Sequence, residues 1–197
     1  KFVLQTIDQC HEKGIGGLCV ISAGFKETGH EGMELEQALL KKVRDYGMRC
    51  VGPNCLGVVN THPSVRMDGC FAESLPQRGD IGFVSQSGAL GGGILNILKD
   101  LNLGFAQFIS IGNQADVNAE TAMEYWENDE DVKQILLYME SIQNPANFRQ
   151  LATRISKKKP ILALKAGRSA AGASAASSHK PWISPSAKKC MGSPNDR

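Results

Sequence analysis

The sequence has no run of apolar residues long enough to cross a membrane, and no signal peptide precedes its first periodic segment. It also lacks charge of one sign. Lys and Arg exceed Asp and Glu by only two, and no basic stripe is interleaved with aromatics, which excludes the usual electrostatic footprint of a nucleic-acid binder. The lysine run at Lys157 to Lys159 is read as the solvated end of a helix, where cations suit the macrodipole. Six cysteines are present, at 10, 19, 50, 55, 70 and 190, and none has the close spacing of a zinc site, so no metal site is expected. Cys10, Cys19 and Cys50 fall on apolar faces and are read as reduced packing residues of a cytoplasmic protein. Three phosphate and nucleophile signatures are missing as well: no Walker loop, no G-x-S-x-G elbow, and no G-x-G-x-x-G turn of a nicotinamide dehydrogenase.

What is present is alternation. Phe2, Val3, Ile7 and Cys10 repeat at helical spacing up to Gly14, and "GLCVI" then reads as a buried strand. The unit repeats as "ELEQALLKKVRDYG" with Leu35, Leu39, Val43 and Tyr46 on one face, followed by the strand "MRCVG". From Pro53 to Gly79 periodicity disappears, and a domain boundary with a linker over 66–78 is placed there. A second series follows: strand "IGFVSQSG", helix 89–101, strand "FAQFISIG", helix "AETAMEYWEND", strand "QILLYME", helix 145–158 and strand "ILALKAG". Apolar strands alternating with helices imply an α/β fold with a parallel, doubly wound sheet of Rossmann or flavodoxin type. The chain opens without methionine inside a helical pattern and has only two strands in its first part, so a piece of a longer protein is expected. The stretch 168–180 is rich in Ala, Ser and Gly, and 181–197 has no period, which reads as a loop and a disordered tail.

Several positions carry polar chemistry. In "FVSQSGALGGG" a strand runs through Ser85, Gln86, Ser87 and Gly88 into a helix, so free N–H groups and hydroxyls converge at a positive helix end. Either this is an anion site, or a serine simply caps the helix. Glu140 ends a strand, where an open α/β sheet lines its ligand crevice; a solvated strand end is the other reading. His179, in a stretch too small and polar to form a core, is an ordinary loop residue or a nucleophile that accepts a phosphoryl group. Ser22, Ala23 and Gly24 in "ISAGF", and Asn54 in "VGPNCLG", follow strands of the first series and are either tight turns or a place where a ligand nears the backbone.

Taken in order, "VISAGFKETGHEG", "GMRCVGPNCLGVVNT", "GFVSQSGALGGGILN", "ISIGNQADV", "LLYMESI" and "KPILALKAGRSAAGASAASSH" resemble the α-type portion of NDP-forming acyl-CoA synthetases, the ADP-forming acetate–CoA ligase group related to succinyl-CoA synthetase. The resemblance covers residues 1–179. It implies the C-terminal part of a CoA-binding Rossmann domain over 1–65 and a succinyl-CoA synthetase-like flavodoxin domain over 79–179. It also implies conversion of acyl-CoA, ADP and phosphate into acid, CoA and ATP through an acyl phosphate and a phosphohistidine. His179 is then the phosphohistidine and Glu140 the carboxylate orienting it. Ser85, Gln86, Ser87 and Gly88 match the phosphate-holding helix start, and Ser22, Ala23, Gly24 and Asn54 match the CoA side. CoA is the implied cofactor. ADP or ATP and Mg2+ would enter through an ATP-grasp portion, fused or a separate β subunit, in an oligomer, and the chain alone is expected to be inactive. Lys180, Pro181 and Trp182 depart from the family's continuation "SSHTG", and 180–197 is set apart as a tail. The competing expectation is an acyl-CoA-sensing module of a protein lysine acetyltransferase, which shares these two domains.

Overall fold

A computed structural model describes residues 2–72 and 76–166. Helix α1 (Val3–Glu12), strand β1 (Gly17–Cys19), helix α2 (His30–Asp45) and strand β2 (Arg49–Val51) form the first series. β1 and β2 pair in parallel, with Leu18 opposite Cys50. The expected helical stripes supply part of their core: Ile7, Leu39 and Val43 are buried, with Cys50 of β2 and Phe25 from the intervening loop, whereas Phe2 is exposed. Met48 completes this core just after Gly47, whose φ of 65° ends α2 in the left-handed conformation that glycine adopts without strain.

The segment 53–79 differs from the expectation of a connection without regular structure. It contains β3 (Gly57–Asn60) and β4 (Met67–Cys70), an antiparallel pair. β3 also pairs antiparallel with β6 (Phe105–Ser110), so both strands extend the second sheet, and residues up to Ala166 form one compact unit. The strands escaped notice because each has only four residues and β4 is mostly exposed, which leaves no alternation to detect.

The remaining elements are β5 (Arg78–Ser85), α3 (Gly88–Asp100), α4 (Ala119–Trp126), β7 (Gln134–Met139), α5 (Pro145–Ile155) and β8 (Ile161–Lys165). The sheet order is β4-β3-β6-β5-β7-β8, and β6, β5, β7 and β8 run in parallel. β5 is buried from Ile81 to Ser85 because helices cover both faces. On one face Phe83, Phe105 and Phe108 pack against Leu95 of α3. On the other, Val84, Ala106, Ile135 and Leu137 pack against Met123 and Trp126 of α4 and Leu151 and Ile155 of α5. The chain therefore leaves β5 toward β6 on one side and returns to β7 on the other, which puts a topological switch point beside β5.

Helix starts follow side-chain caps. Ser87, Asn118 and Asn144 each accept a backbone N–H three residues on, and Pro145 occupies the first turn of α5. The lysine run does not close its own helix: α5 ends at Ile155, and Lys159 instead donates to the carbonyls of Trp126 and Asp129 at the end of α4. The cation still meets a negative helix end, but that of a neighbour. Among the described residues no helix is long and apolar enough to cross a membrane.

Candidate functional site

The C-terminal ends of β5, β6 and β7 open onto one edge of the sheet, and the polar residues there form a continuous network. Ser85 ends β5 fully buried, and its hydroxyl donates to the carbonyl of Ser87 at 2.6 Å. Ser87 Oγ accepts the N–H of Leu90 at 3.4 Å, which caps α3. The cap takes one of the orphan N–H groups of the first turn, and the other early N–H groups, from Gly88 onward, have no helical partner by geometry. The Ser87 hydroxyl proton has no acceptor among the described residues. The cap of Ser87 on Leu90 thus leaves the first N–H groups of the helix without a helical partner. α3 lies close to the sheet because Gly91 has no side chain: a Cβ there would stand 3.1 Å from Phe108 Cζ and Ser85 Oγ.

Gln86, expected at the phosphate-holding helix start, has its side chain turned toward the end of β7. Its Nε2 donates to Ser141 Oγ at 2.8 Å, and its Oε1 accepts the N–H groups of Glu140 at 2.8 Å and Ser141 at 2.9 Å. Its own N–H donates to the carbonyl of Tyr138 at 3.0 Å. The side chain thus faces β7 across the switch point and is occupied in joining the two strand ends. Glu140 lies immediately past β7, half-buried, and Lys165 donates to its carbonyl at 2.7 Å. Its carboxylate has no partner among the described residues. Burial, and secondarily the Glu140 charge, pushes the Tyr138 hydroxyl above its ordinary pKa.

The segment after β6 is the part that sequence reasoning missed. Asn113, 7% exposed, donates through Nδ2 to Glu27 at 2.5 Å and to Glu36 at 2.8 Å, accepts from Asn54 Nδ2 at 3.3 Å, and donates its N–H to Pro53 O at 2.8 Å. Lys26 donates to the Asn113 carbonyl and pairs with Glu36 at 3.2 Å. Burial pushes the Glu27 carboxyl up. The bonds from Asn113 and from the N–H groups of Gly24, Glu27 and Phe25 together outweigh it and leave the pKa below the ordinary value. Gln114 donates to Ser141 Oγ at 3.0 Å, so Ser141 receives an amide from both β5 and β6 ends. Gly112 lets the segment approach the Pro53–Asn54 turn: its φ is 50°, and a Cβ would lie 2.3 Å from the carbonyl oxygens of Asn54 and Pro53. The rule that singled out Glu140, a polar group just past a parallel strand, applies equally to Asn113, Gln114 and Ser141. Glu27 and Glu36 carried no such signal.

Ser22, Ala23, Gly24 and Asn54 come together on an exposed rim beside Asn113. Asn54 donates its N–H to Ser22 O at 3.0 Å, and Gly24 donates to Glu27 at 2.6 Å. His179 lies outside the described residues. A separate apolar cavity of about 400 Å³, lined by Leu18, Cys50, Val59 and Phe108 among others, receives none of these polar groups. The cysteines differ from expectation in one case: Cys50 is buried and Cys10 half-buried, but Cys19 is exposed.

A mostly parallel, doubly wound sheet with its polar network at the strand ends defines an α/β domain of flavodoxin type. The chain belongs to the family described as succinyl-CoA ligase like flavodoxin domain, whose profile matches residues 78–190. That match runs past His179 into the segment set apart as a tail. The chain is 45% identical over 179 residues to the α subunit of acetate–CoA ligase [ADP-forming] II of Pyrococcus furiosus, covering 91% of this chain and 38% of that one. It is 42% identical to acetate–CoA ligase [ADP-forming] of Methanocaldococcus jannaschii, covering 90% of this chain and 24% of that one. Among solved structures it resembles the dinucleotide-forming acetyl-coenzyme A synthetase 1 of Ca. Korarchaeum cryptofilum, in complex with phosphate and ADP, with a TM-score of 0.82 and 35% identity over 96% of this chain and 40% of that one. The chain thus spans two fifths or less of these three proteins.

Proposed function

We propose that this chain is part of the α-type portion of an ADP-forming acyl-CoA ligase of the acetate–CoA ligase kind. The protein would interconvert acyl-CoA, ADP and phosphate with the free acid, CoA and ATP, by way of an acyl phosphate and a phosphohistidine. The observation that carries this reading is the meeting of a capped helix start and a half-buried carboxylate, Glu140, across one switch point, tied by Gln86. None of the relatives named above is an acetyltransferase, so the sensor reading has no observation in its favour.

In this reading His179 takes the phosphoryl group and Glu140 holds the imidazole by its second nitrogen, so that the charge developing on phosphorylation meets a carboxylate. The N–H groups at the start of α3, from Gly88, and the Ser87 hydroxyl receive the phosphate oxygens. Buried Ser85 acts indirectly, by fixing the Ser87 carbonyl. CoA lies along the exposed rim of Ser22, Ala23 and Gly24, with the Asn54 amide beside its thioester end. An ATP-grasp portion, fused or separate, supplies the nucleotide and Mg2+; residues 1–65 belong to the CoA-binding domain and the segment from 79 onward to the phosphate-handling one. The assembly is an oligomer in the cytoplasm.

The test is labelling by [γ-32P]ATP with Mg2+ of the chain joined to its ATP-grasp portion. The expected product is an alkali-stable, acid-labile protein phosphate that disappears in His179→Ala and falls in Glu140→Gln. A folded protein that takes up no label overturns the reading.

A further inference from the structure

Cys19 and Cys55 are 36 positions apart in sequence, yet their sulfurs lie 3.6 Å from each other. Cys19 is the last residue of β1, and Cys55 closes the turn that follows β2. Pairing of the two strands brings the ends together, and Cys55 Sγ also lies 3.4 Å from the Val20 carbonyl. The two thiols differ in access: Cys19 is exposed, whereas Cys55 is buried.

They differ in chemistry as well. The hydrogen bond between the two sulfurs draws the Cys19 thiol below its ordinary pKa and, with burial, pushes Cys55 up. Burial holds Cys50 up at about 12 and raises Cys70. An exposed thiol 3.6 Å from a buried second thiol is the arrangement of an attacking and a resolving cysteine.

We propose that Cys19 and Cys55 form a redox modification site, which a low-molecular-weight disulfide converts reversibly into an intramolecular disulfide bridge. The Cys19 thiolate attacks one sulfur of glutathione disulfide; that S–S bond breaks and one glutathione leaves as thiolate, taking a proton from water. Cys55 then gives up its proton to solvent and attacks the Cys19 sulfur, expelling the second glutathione. Two protein thiols are oxidised and one glutathione disulfide is reduced to two thiols. Closing the bond brings the sulfurs to about 2.05 Å, a movement of about 1.5 Å that the exposed Cys19 side chain and the turn before Cys55 must share. The bridge covers the two segments already joined by the Asn54 to Ser22 hydrogen bond.

The experiment treats the native chain with glutathione disulfide, alkylates the remaining thiols and maps peptides by mass spectrometry. The expected result is loss of two of the six thiols, a Cys19–Cys55 cross-linked peptide, and full reversal by dithiothreitol. Cys55→Ser is expected to stop at a stable glutathione adduct on Cys19, and Cys19→Ser to leave Cys55 unmodified. The same treatment in urea is expected to lose the selectivity, because the pair exists only in the fold. A wild-type chain that keeps glutathione on Cys19 without resolving it, bridges a different pair, or retains all six thiols overturns the proposal. The wild-type map decides even where a variant fails to fold.

Discussion

Replacing Asn113 by Asp preserves shape and reverses the electrostatics at the centre of the strand-end network. The Asn113 amide donates to two carboxylates, Glu27 at 2.5 Å and Glu36 at 2.8 Å, with Lys26 as the cation beside them. In the variant, three carboxylates share that space. At an effective dielectric constant of about 20, each like-charge pair about 4 Å apart costs about 4 kcal/mol. The chain escapes most of this cost by binding one proton, which at pH 7 costs about 4 kcal/mol for a carboxyl whose ordinary pKa is near 4. The proton restores one of the two lost bonds. Asn113→Asp should therefore lose about 3–5 kcal/mol at pH 7. The native variant holds a proton that the unfolded chain has released, so its stability falls with rising pH by about 1.4 kcal/mol per unit, and the deficit shrinks toward pH 5. Urea unfolding followed by circular dichroism between pH 5 and 7.5 measures both quantities. A loss below about 1 kcal/mol at pH 7, or one that does not change with pH, would refute the arrangement.

Gly112→Ala should be more disruptive than any surface change. It combines a left-handed φ of 50° with a Cβ 2.3 Å from two carbonyl oxygens, so a thermal melt should show a loss of about 3 kcal/mol or more. Gln86→Ala removes three side-chain hydrogen bonds to Glu140 and Ser141 and should cost about 2 kcal/mol in urea unfolding, since the site is half-buried and water replaces part of the loss.

The second series of strands and helices was readable because each element carries its own signal. β5 is an apolar run, α3 follows a serine cap, and α5 follows Asn144 and Pro145. β3 and β4 carried none, since β4 pairs only with β3, and β3 is placed by distant β6, with Val58 opposite Ile109. The same division holds within the site. Glu140 and Ser87 could be placed from the strand end and the helix start that flank them. Gln86 could not be placed: whether a carboxamide next to a helix start faces the helix or the neighbouring strand depends on which strand is the neighbour, and that follows from sheet order.

Asn113 extends the point. Its partners come from the loop around Lys26, from α2 and from the turn at Asn54, and no local pattern links these segments. The backbone does bend to accommodate it: Asn54, Gly112 and Gln114 all have positive φ, two of them without being glycine. A chain that accepts left-handed angles at Asn54 and Gln114, where no glycine relieves them, is held there by the hydrogen bonds that those turns make possible. These turns join the Ser22–Gly24 rim to the β5 and β7 ends. The hydrogen bonds that these turns allow are thus what join the two halves of the proposed site into one network.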